Sequence, residues 1–344
     1  MITDDERCPG ATMKKDAEYV IRSYQPGDEA ALLALHNSAF DGAVPRSLEH
    51  WRWRFLQNPL GFPEITLAIN DEGRCTAVYA AISHHLLLNG KPILGGLQTD
   101  VAIAPDHRTG LAGGRQFVSV GKLFRERFVT PQTGVEWGFP EPPLQRICIR
   151  YLKVGVLRDV VFLCRPAERK LSFACPELET HRVERFSGEV DELWDRCKSD
   201  HVLATIRNAA YLNWRYADHP DIDYGLVEVR EPQTRRLRGV AVFREGGWDH
   251  QLLSIMDWLC PFKDREVEAR LLHHLAHETK TRAKLYLIAW MPSPGPVFHR
   301  FQQDYGFLAK VTPFQESYRS WSKGADRRWL ADHWYQTMGD IDFF

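Results

Sequence analysis

Apolar and polar residues follow two different spacings along the first part of the chain, and each spacing predicts a different kind of element. Between residues 29 and 40, apolar side chains recur every three or four positions, the period of an amphipathic helix. Between residues 76 and 88 they run almost without interruption, which is typical of a strand inside a sheet. From residue 19 to residue 163 these spacings predict the order β-α-α-β-β-β-α-β-α-β. The predicted fold class is α/β (α+β), a mixed sheet flanked by helices, and not a doubly wound nucleotide fold.

A motif of the form W-R-aromatic-x-x-N/H-P occurs twice, at residues 53–59 and again 161 positions later at residues 214–220. Another landmark, Asp100 near the end of an apolar run that stops at a proline, corresponds to Asp257 in the later part of the chain. Landmarks that recur in the same order indicate two related units in tandem.

The repeat provides the predicted domain boundaries. The first half of the molecule spans residues 18–165 and the second half residues 182–320, with two prolines in the connector between them. Residues 1–17 are predicted to form a disordered tail. Residues 321–344 are predicted to form a C-terminal extension, which either packs back on the two halves or contacts a partner.

Charge and cysteine content narrow the classes of partner and compartment. Lys and Arg total 44 against 45 for Asp and Glu, so no bulk positive charge draws the protein to nucleic acid or to an anionic membrane. Seven scattered cysteines without a C-x-x-C pair fit free thiols in a reducing compartment. The polar N-terminal segment lacks the apolar core of a signal peptide. We therefore expect a cytoplasmic protein that binds neither nucleic acid nor membrane, and the oligomeric state stays open.

A strand-to-helix turn in the first half carries residue types that suit a diphosphate. Backbone N–H groups at a helix N-terminus bind phosphate, and glycines let the chain approach it closely. Arg108 and Arg115 add positive charge. The alternative is a turn in which the glycines serve packing alone. The candidate cofactor-binding residues are Val101, Ile103, Arg108, Thr109, Gly110, Leu111, Ala112, Gly113 and Gly114.

This turn resembles the acyl-CoA binding turn of the GNAT-type N-acyltransferases, in which an apolar strand is followed by Q/R-x-x-G-x-G/A. The motif can be placed with either His107 or Arg108 as its first residue. Residues 151–155 match Y-x-K-x-G, which in that family ends the helix after the fifth strand. Apart from the resemblance, Tyr151 could equally be an aromatic ring packed on the sheet at a helix end.

The resemblance implies two tandem GNAT-like units and direct transfer of an acetyl group from acetyl-CoA to an amine in a ternary complex. It implies that acetyl-CoA (or another acyl-CoA) is the co-substrate and that no metal takes part. Tyr151 would be the general acid that protonates the departing thiolate, since a phenol is a plausible proton donor to that group. A backbone N–H between Val101 and Ile103 would hold the oxyanion. The partner would be an acceptor amine on a small molecule or a peptide.

The second half departs from this pattern both at the turn after the strand and at the position of Tyr151. The turn that follows Pro261 has no glycine, and it carries the acidic residues Asp264, Glu266 and Glu268, which would repel a diphosphate. The position that corresponds to Tyr151 is Phe301, which has no proton to donate. We therefore expect a degenerate second unit with a structural role.

Acyl transfer to an amine also requires a base, because an ammonium group is not a nucleophile. The candidates near the strand ends are Asp100, Glu136 and Glu141, together with His107. Glu141 is favoured, since it lies in a loop at the C-terminal end of a central strand. Asp100 has a counterpart in the degenerate half, which favours a structural role.

Two other functions compete with the acyltransferase hypothesis. The first is a non-catalytic protein that uses a GNAT scaffold to bind a ligand or a partner. The second is a peptidoglycan-type aminoacyl transferase, which pairs units of the same fold, uses aminoacyl-tRNA and should present a basic groove.

Overall fold

The computed structural model describes residues 14–16, 19–40, 45–108, 110–247, 249–291 and 295–341. These residues form a mixed α/β fold with nine α-helices around one 15-stranded sheet, as the sequence predicts. No helix in the described ranges is long and apolar enough to cross a membrane.

The strands and helices alternate along the chain. The strands are β1 (Lys14–Asp16), β2 (Tyr19–Ser23), β3 (Glu64–Asn70), β4 (Cys75–Leu88), β5 (Lys91–Ile103), β6 (Thr133–Gly138), β7 (Gly155–Pro166), β8 (Glu179–Val183), β9 (Leu203–Thr205), β10 (Gly225–Arg230), β11 (Leu237–Glu245), β12 (Leu252–Leu259), β13 (Tyr286–Trp290), β14 (Leu308–Ser320) and β15 (Trp334–Tyr335). The helices are α1 (Glu29–Ala39), α2 (Leu48–Phe55), α3 (Gly110–Phe128), α4 (Pro142–Leu152), α5 (Glu189–Cys197), α6 (Ala209–Leu212), α7 (Arg265–Thr281), α8 (Pro296–Gln303) and α9 (Arg327–His333). From β2 to β7 they follow the predicted order of ten elements.

Local chemistry explains where the helices begin and end. Ser47 caps α2 because its side chain accepts a hydrogen bond from the backbone N–H of His50. At the end of α4, Lys153 adopts a left-handed conformation with φ 51°, and the N–H of Val154 returns to the carbonyl of Cys148 at 3.3 Å. That pattern closes a helix C-terminus, so the Y-x-K-x-G motif contains a helix stop signal.

The helices of the first half lie on two faces of the sheet. On β4, Val78 and Ala80 belong to the core that includes α1 and α2, whereas Ala77 and Tyr79 belong to the core that includes α3 and α4. Since successive side chains of a strand point to opposite faces, α1 and α2 cover one face and α3 and α4 the other.

The two halves exchange their last strands. The sheet order is β1-β2-β3-β4-β5-β6-β14-β7-β13-β12-β11-β10-β8, so β14 from the second half pairs with β6, and β7 from the first half pairs with β13. Gly155 at the start of β7 is required by this exchange, because a Cβ there would lie 2.6 Å from the ring of Tyr318 on β14. The sheet is therefore continuous through the junction, and the domain boundaries 18–165 and 182–320 stay predictions.

The repeated W-R motif holds the two halves together. Trp53 and Trp214 stack with their ring centroids 5.2 Å apart and their planes 19° apart. The indole N–H of Trp53 donates to the carbonyl of Trp214 at 2.7 Å, and the indole N–H of Trp214 donates to the carbonyl of Trp53 at 3.0 Å. The two copies of the motif thus meet reciprocally at the junction.

The C-terminal extension packs back on the molecule. β15 pairs in parallel with β9, and the buried carboxylate of Asp340 accepts hydrogen bonds from Thr205 at 2.6 Å and Arg207 at 2.7 Å. At the other terminus β1 pairs with β2, while residues 1–13 and 17 of the predicted tail lie outside the described residues.

Candidate active site

In the first half of the sheet the pairing between β5 and β6 ends before β5 does, and we call the region beyond that point the cleft. The two strands pair in parallel up to Leu97 and Trp137, and their pairing stops there. β5 continues to Ile103 alongside β4, whereas β6 ends at Gly138. Such an opening beyond the paired part of parallel strands is a usual place for a ligand site in α/β proteins.

A bulge on β5 borders this cleft. The pairing register between β4 and β5 shifts here, so that Asp100 and Val101 both lie opposite the single residue Tyr79. Asp100 has φ 52°, and its side chain lies on the same face as that of Thr99, since both contact the guanidinium of Arg54. Bulges interrupt the hydrogen-bond ladder and are common beside active sites. The predicted oxyanion donor between Val101 and Ile103 therefore lies at an irregular part of the strand.

Asp100 itself is held in a buried ion cluster. It forms a salt bridge with Arg46, and its carboxylate lies 3.5 Å from the Nη1 of Arg54 and 3.6 Å from the Nδ1 of His36. Burial raises the pKa of Asp100, but the two arginines lower it more strongly, so the net pKa lies well below the ordinary value. A carboxylate ionised and paired in this way is a poor proton acceptor, which fits the structural role expected for Asp100.

Asp257, the counterpart of Asp100, is paired in the same manner. It accepts hydrogen bonds from the Nε of Arg207 at 2.7 Å and from the hydroxyl of Tyr216 at 2.8 Å. The two halves therefore share this buried acid–arginine pair independently of any chemistry in the cleft.

The glycine turn follows β5 and opens α3. A Cβ at Gly113 would lie 1.7 Å from the carbonyl oxygen of His107, so only glycine fits where the helix passes the turn. At Gly114 no atom lies within 4 Å of a Cβ, and the first turn of α3 contains no acidic residue. A helix N-terminus without carboxylates fits a diphosphate. Thr109 and the side chains at positions 110–112 lie outside the described part of the chain.

The two arginines of this turn have different surroundings. Arg108 donates from Nε to the carbonyl of Ile103 at 3.1 Å and from Nη2 to the carbonyl of Ala39 at 2.6 Å, so it ties the turn to the end of α1. Arg115 is exposed on the second turn of α3. Arg108 therefore braces the turn, and both Arg108 and Arg115 are exposed.

Tyr151 and Glu141 lie at opposite ends of α4. Glu141 is the exposed N-cap residue, beside the end of β6, and its side chain makes no capping hydrogen bond. The ring of Tyr151 is 52% exposed, so it is not the packed aromatic of the alternative interpretation. Ten positions of helix separate the two residues, or about 15 Å. The structure thus places both on the helix that follows the cleft but does not bring them into contact.

Glu136 is a carboxyl group whose burial the sequence did not reveal. It lies on β6 one residue before the end of the paired region, and it accepts a hydrogen bond from Gln98 at 3.1 Å. Burial raises the pKa of Glu136 to about 7, although Arg125 and Arg319 partly oppose this shift. The only signal in the sequence is the polar pair Gln98 and Glu136 within two otherwise apolar strands.

The corresponding corner of the second half has the opposite character. Asp264 caps α7 by accepting the N–H of Val267 at 3.3 Å, and it also binds the Nη2 of Arg238 at 2.6 Å. One turn later, Glu268 is buried and accepts a hydrogen bond from Tyr305 at 2.8 Å. The helix N-terminus is thus occupied by side chains of the chain itself. Across the described residues, no three His, Cys, Asp or Glu side chains are grouped to hold a metal.

Comparison with known protein families decides the identity of the first half. Residues 20–119, which include β5, its bulge and the glycine turn, match the model of the acetyltransferase (GNAT) domain. Residues 20–119 are thus similar to a GNAT domain. This confirms the resemblance found in the glycine turn. The search of curated protein sequences found no match.

Solved structures extend the fold to most of the chain. A conserved protein of unknown function from Enterococcus faecalis, named as a probable N-acyltransferase, superposes with a TM-score of 0.68 at 12% identity over 88% of this chain and 72% of that one. A GCN5-related N-acetyltransferase from Anabaena variabilis superposes with a TM-score of 0.64 at 12% identity, over 88% of this chain and 72% of that one. N-myristoyltransferase from Saccharomyces cerevisiae with bound myristoyl-CoA superposes with a TM-score of 0.58 at 11% identity, over 89% of this chain and 80% of that one. These likenesses establish the GNAT fold.

Proposed function

We propose that this protein is an N-acyltransferase that moves an acetyl group from acetyl-CoA to the amine of a small molecule or a peptide. The observation that carries the proposal is the start of α3, a helix N-terminus with glycines and no acidic residue, which follows a bulged strand in the segment that matches the GNAT domain. One solved neighbour, N-myristoyltransferase, binds myristoyl-CoA, which supports an acyl-CoA as the donor.

The proposed binding site uses backbone atoms more than side chains. The first four N–H groups of α3 have no partner within the helix, and its dipole favours an anion at this end. Gly113 lets the helix pass against the carbonyl of His107, and Arg115 supplies an accessible positive charge. The nearby carboxylate of Asp106 is paired with Arg74 at 2.5 and 2.8 Å, so its repulsion of a diphosphate is reduced.

Two exposed side chains have the proposed proton-transfer roles. Glu141 accepts a proton from the acceptor amine through bridging water, since about 15 Å of helix separates it from Tyr151, and the nitrogen lone pair then attacks the thioester carbonyl. The C–S bond then breaks, and Tyr151 donates its phenolic proton to the departing thiolate. A backbone N–H between Val101 and Ile103 stabilises the oxyanion that forms after the attack and before the C–S bond breaks. Asp100 is excluded from the base role by its arginine partners.

The second half has no acyl-CoA site in this proposal. The carboxylates of Asp264 and Glu268 occupy the start of α7, and Phe301 is fully buried at the position that corresponds to Tyr151. Its contribution is structural, through the shared sheet and the C-terminal extension.

Calorimetric titration with acetyl-CoA tests this assignment directly. We expect the full chain to bind one acetyl-CoA, and the variant Gly114→Asp to lose at least tenfold in affinity, since a carboxylate there faces the diphosphate. Myristoyl-CoA, titrated in parallel, tests for a longer acyl chain.

A matched control separates the site from the mere addition of a charge. Gly188→Asp places the same side chain at the start of α5, where a Cβ also meets no atom within 4 Å. Unchanged affinity is expected there. If the parent protein binds neither acyl-CoA, the acyltransferase proposal fails, and a non-catalytic scaffold becomes the better account. If Gly114→Asp binds as the parent does, the assigned site is wrong.

A further inference from the structure

The second half of the sheet contains a cleft that corresponds to the one between β5 and β6. β12 and β13 pair in parallel from Leu252 to Ile255, and this pairing then stops, as that of β5 and β6 does after Leu97. A cavity of about 240 Å³ lies beyond this point, between the residues that follow the two strands and the C-terminal extension. Its wall includes His201, Phe262, Met291, Val297, Trp334 and Tyr335.

Two buried polar side chains in this wall have no hydrogen-bond partner among the described residues. His201 is 6% exposed, and both of its ring nitrogens lack a partner. Trp334 is 2% exposed, and its indole N–H is likewise unpaired. Buried polar groups in proteins are nearly always paired with protein, water or ligand. Their place in the wall of a cavity therefore points to an occupant that pairs with them.

Aromatic rings hold the imidazole of His201 in position. It stacks on Trp194 with 5.7 Å between the ring centroids and 10° between the planes. Phe262 and Tyr335 approach it at 4.8 and 4.6 Å. Burial, with a smaller contribution from Arg207, lowers the pKa of His201 to about 3. The ring is therefore neutral at physiological pH and presents one donor and one acceptor.

The charges around the cavity disfavour an anion. Asp200 and Asp332 belong to its wall. The nearest buried cation, Arg207, already donates to Asp257, Asp340 and the carbonyl of Thr205. The remaining wall is mostly apolar and aromatic, so an uncharged molecule fits it better than a carboxylate or a phosphate.

We propose that this cavity is a binding site for a small uncharged molecule with an aromatic body and one hydroxyl or amide group that hydrogen-bonds to His201. The cavity is smaller than the roughly 300–1,000 Å³ of drug-sized ligand sites, which limits the ligand to about a single ring with a short substituent. The proposal does not depend on acyl transfer in the first half.

Ligand-observed NMR titration of the full chain tests the site with three simple probes. Benzyl alcohol carries a ring and a hydroxyl, toluene lacks the hydroxyl, and benzoate is an anion of similar size. We expect benzyl alcohol to bind about fivefold more tightly than toluene, which is the effect of one hydrogen bond. Benzoate is expected not to bind. Equal affinity for benzyl alcohol and toluene, or tighter binding of benzoate, would overturn the proposal.

Two variants locate the probe in the cavity. His201→Phe keeps an aromatic ring but removes both nitrogens. The affinity for benzyl alcohol should therefore fall about fivefold, while the affinity for toluene stays unchanged. Ala331→Trp on α9 fills the cavity and should abolish binding of both, whereas Arg328→Trp, on the same helix but outside the wall, should leave binding unchanged. Parental affinity in Ala331→Trp would show that the probes bind elsewhere. If that variant fails to fold by circular dichroism, the His201→Phe titration decides alone.

Discussion

The two helix N-termini that follow β5 and β12 occupy corresponding places in one continuous sheet, yet the residues at the two N-termini differ in character. At the start of α3 there are glycines, no acidic residue and no atom within 4 Å of a Cβ on Gly114. At the start of α7 the carboxylate of Asp264 already caps the helix. A helix N-terminus needs a partner for its N–H groups, and α7 supplies its own. We therefore propose the start of α3, and not the start of α7, as the end placed for a ligand.

The difference continues along the neighbouring strand and helix. Glu136 on β6 lies one residue before the end of the paired region, and the corresponding position on β13 is Ile288, which is also buried. Tyr151 on α4 is half exposed, whereas Phe301 on α8 is fully buried. At these two positions an ionisable side chain of the first half is replaced by a buried apolar side chain in the second, whereas the acidic pair Asp100 and Asp257 is kept.

The largest effect is expected at Gly113. Gly113→Ala should lower the free energy of unfolding by at least about 3 kcal/mol, because the new Cβ overlaps the carbonyl oxygen of His107. Gly114→Ala is the matched control, and it should be neutral or stabilising, since the site is open and alanine favours the helix. Urea unfolding of both variants measures the difference. Equal stabilities would show that the tight approach of α3 to the turn is not needed.

The second prediction concerns pH and Glu136. Its pKa is raised from 4.5 to about 7 in the folded protein, so the folded state holds more protons than the unfolded state between these values. Stability therefore falls as the pH rises through this window. Glu136→Gln should remove that dependence and be about 2–3 kcal/mol more stable than the parent at pH 8, with the two nearly equal at pH 4. Urea unfolding at both pH values gives the comparison. A variant that is less stable at pH 8 would show that the carboxylate is stabilised there.

The smallest effect is expected at the cap of α7. Asp264→Ala should cost about 1 kcal/mol, because the N–H of Val267 and the guanidinium of Arg238 lose their partner. Glu266→Ala, an exposed change in the same turn, is the control and should change stability by less than about 0.5 kcal/mol. Thermal unfolding measures both. Removal of the cap should not create acyl-CoA binding, since no glycine opens this turn, and calorimetry with acetyl-CoA checks that expectation.

Local patterns predicted the elements of the first half because their causes are local. The helix period of α1, the Ser47 cap and the apolar run of β4 depend on neighbours within a few positions. The glycine turn and the Y-x-K-x-G motif were recognisable for the same reason, since each is a continuous segment. The family match over residues 20–119 confirms what the turn indicated.

Features that depend on distant residues were not predictable in this way. Arg108 was expected to supply charge to a phosphate, but it ties the turn to α1 through the carbonyl of Ala39. In the sequence Glu136 is one of several candidate carboxyl groups. Its burial beside Gln98 depends on the packing of β5 and β6. The roles of Tyr151 and Glu141 stay predictions, and the structure adds that they lie at opposite ends of α4.

The sequence by itself determined the α/β class, the order of the elements in the first half, the recurrence of the W-R motif and the glycine turn, because each depends on the spacing of side chains along one segment. Only the tertiary structure decided that β7 and β14 change places, that Trp53 and Trp214 meet at the junction, and that a cavity with an unpaired His201 remains in the second half. Those outcomes follow from which surfaces can be buried together and which polar groups find partners. That balance is set by residues more than a hundred positions apart.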